Sequence, residues 1–504
     1  MSSSRKRKWS EAPPATSGGV LKRIRHMVLA NLAPMWPGIV WLTDLEAVVA
    51  IMWRNMSSVQ VQRMGSEALR QQSLEPVKRH LIHSAGGIDV VADAMQSHRA
   101  DFKVQQNGCG VLRKMTVDSA GAAAVRAAGG FNIIASAMQS HNDNLEVQQS
   151  GSGTLWNLTC DFSGVSPIQV ASAVVVLLNT MVVHRGDVEI QRNGCGALWN
   201  VAHDHQHRTA IGEEGIKAIV GSMVTYRSDV QVQSAGLGAL WNLALDDLNK
   251  TRIRTENGIQ AIIKAMEAHS SLQQIGRNGC GALYMLASDA ENRASIRLAG
   301  GIRVVVDAMR AHSGHKEVQQ YGCSVLYQLC SDNDKSRIDL RDIGGIKVVL
   351  GALECHVDSI EVTANACSAI ANLALDEINK KTIREKGGIK LVVVSMQKHS
   401  DNMGVQRDGC LALWNLSDNN RQNKVAIREV GGIKAIVAAM EAHAGDAKVL
   451  ENGCGALAEL AQNGRNKDEI RKHRGVVAVR SAMQMFPGDV QIQTLGGQVL
   501  ERMP

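Results

Sequence analysis

Residues 147–158 read VQQSGSGTLWNL, and residues 190–201 repeat the phrase as IQRNGCGALWNV. Further full copies begin at Val104, Val232, Gly276, Val318, Val362, Val405 and Val449, with partial copies at Val61 and Ile492. The first small residue of each copy is Gly65, Gly108, Gly151, Gly194, Gly236, Gly279, Gly322, Ala366, Gly409, Gly453 and Gly496, so successive copies stand 42 to 44 residues apart. A chain of 504 residues would by length alone be divided into several domains. A constant period instead predicts a stack in which each unit buries its apolar face against its neighbours.

Between copies a second phrase recurs, as in ENRASIRLAGGIRVVVDAMRAH at 291–312. It reads as a short helix, a Gly-Gly turn and a longer amphipathic helix. The turns fall at 86–87, 129–130, 300–301, 344–345, 387–388 and 431–432, while Gly215, Gly258 and Gly475 serve singly. Glycine suits such a turn because it tolerates positive φ. The copy after Cys160 carries Ser172-Ala173 where the glycines belong, and a distorted corner is expected there.

Three helices per period, with A-L-x-N-L-A on the third and G-G-I-x-x-[LV] before the second, resemble the armadillo repeat. The resemblance spans residues 44–504, and the fold it implies is all-α: a right-handed α-solenoid, or armadillo superhelix, of about eleven three-helix repeats. At about 100° per residue, Thr154, Leu155 and Leu158 share the buried stripe with Gly151, whereas Trp156 and Asn157 flank the exposed face with Gly153 between them. Small residues recur at the Gly153 position: Gly110, Gly196, Gly238, Gly281, Ser324, Ser368 and Gly455. Glycine inside a helix costs about 0.5–1 kcal/mol relative to alanine, so close approach is required there, by the adjoining repeat or by a ligand.

The resemblance implies that third helices line a concave groove able to hold an extended peptide. A carboxamide there offers donor and acceptor together and can grip a peptide backbone without reading side chains. That position holds Asn157, Asn200, Asn242, Gln328, Asn372 and Asn415, and beside it stand Trp156, Trp199, Trp241, Tyr284, Tyr327 and Trp414. These twelve are the candidate peptide-binding residues, aromatics exposed in a groove being typical anchors. A structural alternative has the aromatics covering seams between repeats and the asparagines capping turns. The ladder weakens at Lys114, Met285 and Glu459.

The formal net charge of +7 is concentrated in a tail, residues 1–26, where Arg5, Lys6, Arg7, Lys8, Lys22, Arg23 and Arg25 face Glu11 alone. Two basic clusters with a spacer between them read as a nuclear-import signal, as a Ser-rich, acid-poor transit peptide, or as a solvated disordered terminus. Within the armadillo family importin-α is the sharper comparison, but its Trp precedes the Asn by a helical turn, whereas here they are adjacent. A nuclear-transport adaptor and a nucleic-acid-associated protein using the tail as an electrostatic arm are the alternatives to a non-enzymatic interaction scaffold. Residues 27–43 form a hydrophobic cap segment; its uncharged stretch, MVLANLAPMWPGIVWL, is shorter than the ~20 residues of a membrane span and is interrupted by Pro34 and Pro37. The expected setting is intracellular, cytoplasmic or nuclear.

Composition excludes other classes. The 45% apolar content is too high for a wholly disordered chain, and the 47 glycines lack collagen's period. Seven of ten cysteines, Cys109, Cys195, Cys280, Cys323, Cys367, Cys410 and Cys454, follow the anchor residue; at the ~8–10 Å of packed helices they stand beyond disulfide reach and read as small buried thiols. His98, His141, His184, His269, His312, His356, His399 and His443 end the second helices, where the dipole favours a cation. His203-Asp204-His205-Gln206-His207 reads as a solvated loop or as a chelate for a transition metal. No catalytic arrangement stands out, and neither a cofactor nor a resident metal is expected. The expected partner is a protein, presenting an extended peptide or disordered segment, with no membrane association.

Overall fold

The structure, a computed structural model, describes residues 44–503. The basic tail (1–26) and the cap segment (27–43) lie outside the described residues. Among the described residues are thirty α-helices, one short 3-10 turn at Arg208–Ala210 and no strand. The chain is an all-α solenoid of repeats, and it divides into two compact units at the Ile211/Gly212 junction.

Each regular repeat is built as its sequence dictates. Asp289 accepts from the Asn292 backbone N–H at 2.8 Å and starts the short helix Ala290–Leu298. Gly300, at φ 87°, turns the chain into the long helix Gly301–Ala311, and the third helix Lys316–Cys330 follows. The single-glycine turns differ from expectation. At two of them the left-handed residue is the one before the glycine, Asn257 (φ 61°) and Arg474 (φ 62°), and near the third it is Gly212 (φ 59°), with Gly215 inside the helix Gly212–Thr225. The corner expected near Ser172 is absent rather than distorted. With no glycine to stop it, one 17-residue helix runs from Pro167 to Val183, started by a capping box between Ser166 and Gln169.

In the N-terminal unit the third helices are Val59–Gln72, Phe102–Met115, Leu145–Leu158 and Val188–His203, each packed along the next. In the C-terminal unit they are Val230–Leu243, Gln273–Leu286, Lys316–Cys330, Ile360–Leu373, Met403–Ser417, Ala447–Leu460 and Val490–Arg502, again packed in sequence.

The anchor glycines exist because a methionine of the long helix lies on them. A Cβ at Gly151 would stand 2.5 Å from Met138 Cγ, and Met52, Met95, Met181, Met223, Met266, Met309, Met396, Met440 and Met483 repeat the arrangement. Ten of the 20 methionines thus hold one packing position, and the nine that are buried contribute about 1.5–3 kcal/mol each. Where the methionine becomes Leu353, the glycine becomes Ala366, and both are buried.

Buried glutamines close the same joint. Gln105 Nε2 donates to the carbonyls of Met95 (2.8 Å) and His98 (3.0 Å), the otherwise unpaired end of the long helix, and Gln148, Gln191, Gln319 and Gln406 do likewise. The periodic histidines are interrepeat donors: His141 Nε2–H bonds the Arg99 carbonyl at 2.8 Å and His399 that of Val357 at 2.7 Å.

Candidate functional site

All twelve candidate residues lie on the third helices, half-buried except Tyr327, which is exposed. Their neighbours explain the internal glycines. A Cβ at Gly196 would stand 2.4 Å from the Trp156 ring; Gly281 meets Trp241 at 2.6 Å and Gly455 meets Trp414 at 2.5 Å. The close approach is therefore packing between repeats, with the indole of one repeat lying on the glycine of the next. Gly153 is covered rather than exposed, lying under Arg113. At these rungs one indole face seals a seam.

The asparagines bind between repeats rather than capping turns. Asn372 Nδ2 donates to the Tyr327 carbonyl at 2.9 Å, Asn415 to that of Ala371 at 3.0 Å, and Asn200 to that of Trp156 at 3.4 Å and to Thr159 Oγ1 at 3.2 Å. Asn157 donates to Thr116 Oγ1 at 3.1 Å. The carbonyls served belong to last turns, which no intrahelical N–H reaches. In the final repeat Arg502 takes the same role toward Ala458. The carboxamide oxygens of Asn157, Asn200, Asn372 and Asn415 accept no hydrogen bond among the described residues. A second asparagine row does comparable work two turns earlier, Asn278 donating to Ser234 O at 3.2 Å and Asn452 to Arg407 O at 3.0 Å.

The most developed aromatic group joins residues that the repeat phrase did not single out. Tyr321 meets Trp241 edge-on at 5.0 Å between centroids and stacks near Tyr284 at 6.4 Å. Arg277 lies 5.2 Å over the Trp241 ring while pairing with Glu317 at 2.7 Å. Burial pushes the Tyr321 hydroxyl above its ordinary pKa. The signal was their positions: Arg277 stands two residues before its anchor glycine, on the aromatic's face of the helix, and Tyr321 stands one residue before its own, on the amide's face.

Farther along, Ala458 occupies the aromatic position and the following repeat carries Gln498 in place of glycine. A cavity of about 350 Å³ opens there, lined by Trp414, Asn415, Asp418, Gly455, Ala458 and Glu459 among others. Glu459 replaces the asparagine and is engaged by Lys424 at 2.9 Å.

The chemical-looking signals resolve into packing. The ladder cysteines are buried and free, and burial alone pushes the Cys109 and Cys280 thiols up to about 12. The histidine cluster is not a solvated loop throughout: His207 is buried, stacks on Phe162 at 4.3 Å and donates from Nδ1 to Asp204 at 2.7 Å. Asp204 also accepts the Gln206 backbone N–H at 2.8 Å. Among the described residues no group of three or more His, Cys, Asp or Glu is arranged to hold a metal ion, and no helix is long and apolar enough to cross a membrane.

A family model described as the LRRK2 ARM repeat matches residues 301–474. A solved chain from the phosphorylation switch that controls the interaction between cadherin and beta-catenin is 18% identical, with a TM-score of 0.78 over 97% of each chain. Residues 301–474 thus match an armadillo-repeat family model, and the chain has the armadillo solenoid fold. An engineered protein is likewise similar to this armadillo chain, at 21% identity and a TM-score of 0.55, covering 92% of the chain and 99% of its own length. No curated protein matches the sequence.

Proposed function

We propose that this armadillo chain is a non-enzymatic interaction scaffold whose third helices hold an extended peptide or disordered segment of a protein partner. The observation that carries this reading is the state of the carboxamides. Asn157, Asn200, Asn372 and Asn415 spend a donor on the preceding repeat and keep an unused oxygen beside an aromatic or small side chain. Tethering through nitrogen fixes the side chain, so the oxygen is a preorganised acceptor for a peptide N–H. Half-buried indoles, with one face sealed by glycine, supply apolar walls of low conformational entropy. The similar cadherin and beta-catenin chain takes part in a protein–protein interaction, which agrees with this use of the fold.

The test is capture of peptides from a random dodecapeptide phage library by the full chain. Enriched peptides should bind wild type, and changing Trp156, Trp199 and Trp241 together to Ala should weaken them at least tenfold while circular dichroism remains helical. Undiminished binding by a folded triple variant contradicts the assignment.

A further inference from the structure

In the N-terminal unit the first two rungs depart from the pattern at the aromatic position. The aromatic position holds Arg70 and then Arg113, and the amide position after Arg113 holds Lys114. The guanidinium arms take the place of indoles: a Cβ at Gly110 would stand 3.0 Å from Arg70, and one at Gly153 would stand 2.7 Å from Arg113. Between them lies a cavity of about 220 Å³ lined by Arg70, Arg113, Lys114, Glu146, Gln149 and Ser150, with Leu74 as an apolar wall.

The charges in this cavity do not cancel. Arg113 pairs with Glu189 at 2.6 Å, outside the cavity lining. Arg70 Nη2 reaches Glu146 at 3.3 Å, and Gln106 donates to the same carboxylate. Gln149 donates to Asp187 at 2.9 Å. Lys114, half-buried, has no hydrogen-bond or ion-pair partner among the described residues. One ammonium is left without a counter-charge in a donor-rich recess, where an arriving carboxylate would find a charge-assisted partner.

We propose that this cavity receives the side-chain carboxylate of an Asp or Glu in the bound peptide, with Lys114 as its ion-pair partner and Arg70 and Arg113 as flanking donors. The proposal rests on the groove reading above and adds a charge requirement at one end of it. The single uncompensated charge matches a monoanion; a phosphate, at about −1.5 to −2, would leave excess negative charge beside Glu146. Charge-assisted hydrogen bonds in such a recess are roughly twice as strong as neutral ones.

The experiment uses the same dodecapeptide library on the full chain, wild type and Lys114→Gln and Lys114→Glu variants. Wild type should enrich Asp or Glu at one fixed offset from the residues that the tryptophans select. Replacing that residue by Asn or Gln in a synthetic copy should cost about tenfold in wild type and nothing in Lys114→Gln. Lys114→Glu should switch the enriched residue to Lys or Arg. An equal cost in wild type and Lys114→Gln, or enrichment without acidic residues, overturns the proposal and leaves the groove reading intact. Tighter binding of a phosphoserine peptide than of the Asp peptide overturns the carboxylate assignment. A library from which wild type captures nothing defeats the groove reading, and this inference with it.

Discussion

The indole of Trp156 lies on Gly196 of the following repeat, so closely that a Cβ added there would stand 2.4 Å from the ring. The two residues are one structural unit, the glycine being the seat of the tryptophan. Gly196→Ala should therefore displace Trp156, shift its fluorescence and cost about 1–3 kcal/mol by urea denaturation. Adding Trp156→Ala to Gly196→Ala should cost much less than the sum of the two, because alanine needs no seat. Strict additivity contradicts the pairing.

Buried Gln406 donates to the Met396 carbonyl at 2.8 Å and the His399 carbonyl at 2.7 Å. Gln406→Met keeps the volume and removes both bonds. It should lower the urea midpoint by the equivalent of about 1–3 kcal/mol and leave the affinity of captured peptides unchanged. A loss of peptide affinity with no change in midpoint would place Gln406 at the binding surface instead.

Eight of the ten cysteines are buried, and only Cys160 and Cys355 are exposed. An aromatic disulfide reagent should modify two thiols in the native protein and ten after denaturation. Burial pushes the Cys109, Cys323 and Cys410 thiols up to about 12, so raising the pH to 8.5 should not recruit them. Rapid labelling of a third thiol would show that the ladder opens on that timescale.

Asp101 caps the helix Phe102–Met115 through Val104 N–H at 3.0 Å and pairs with Arg63, whose hydrogen bond holds its carboxyl below the ordinary range. A carboxyl depressed in the folded state stabilises above its unfolded pKa of about 3.9 and loses that contribution as the pH falls through its folded value. Wild type should exceed Asp101→Asn in urea midpoint at pH 7, and the gap should narrow below about pH 4. A gap that widens on acidification contradicts the assignment.

The repeat, its three helices and the third-helix position of all twelve candidate residues were legible in the spacing of one phrase, since a solenoid rewrites its packing every period. Pairings between copies were less so. Gly196 answers Trp156, Ala366 answers Leu353 and Gln498 follows Ala458, but these partners stand 13 to 40 residues apart and show only when adjoining rows are read together. Reading Asn157 and Asn200 as free on both sides of the amide overlooked the orphan carbonyls of the preceding helix, which take the nitrogen. The corner at Ser172 failed for a local reason: Ala171-Ser172-Ala173 contains nothing that favours a left-handed turn, and the helix runs on.

Whether a peptide lies across the third helices is decided by photo-cross-linking. A captured dodecapeptide carrying benzophenone-alanine at successive positions is irradiated on the full chain, and the attachment sites are read by mass spectrometry. Attachment is predicted within Leu145–Leu158, Val188–His203, Val230–Leu243 and Met403–Ser417, at or beside the Trp and Asn pairs. Attachment confined to the short helices, such as Ala290–Leu298 and Glu377–Glu385, would place the partner on another face and contradict the groove.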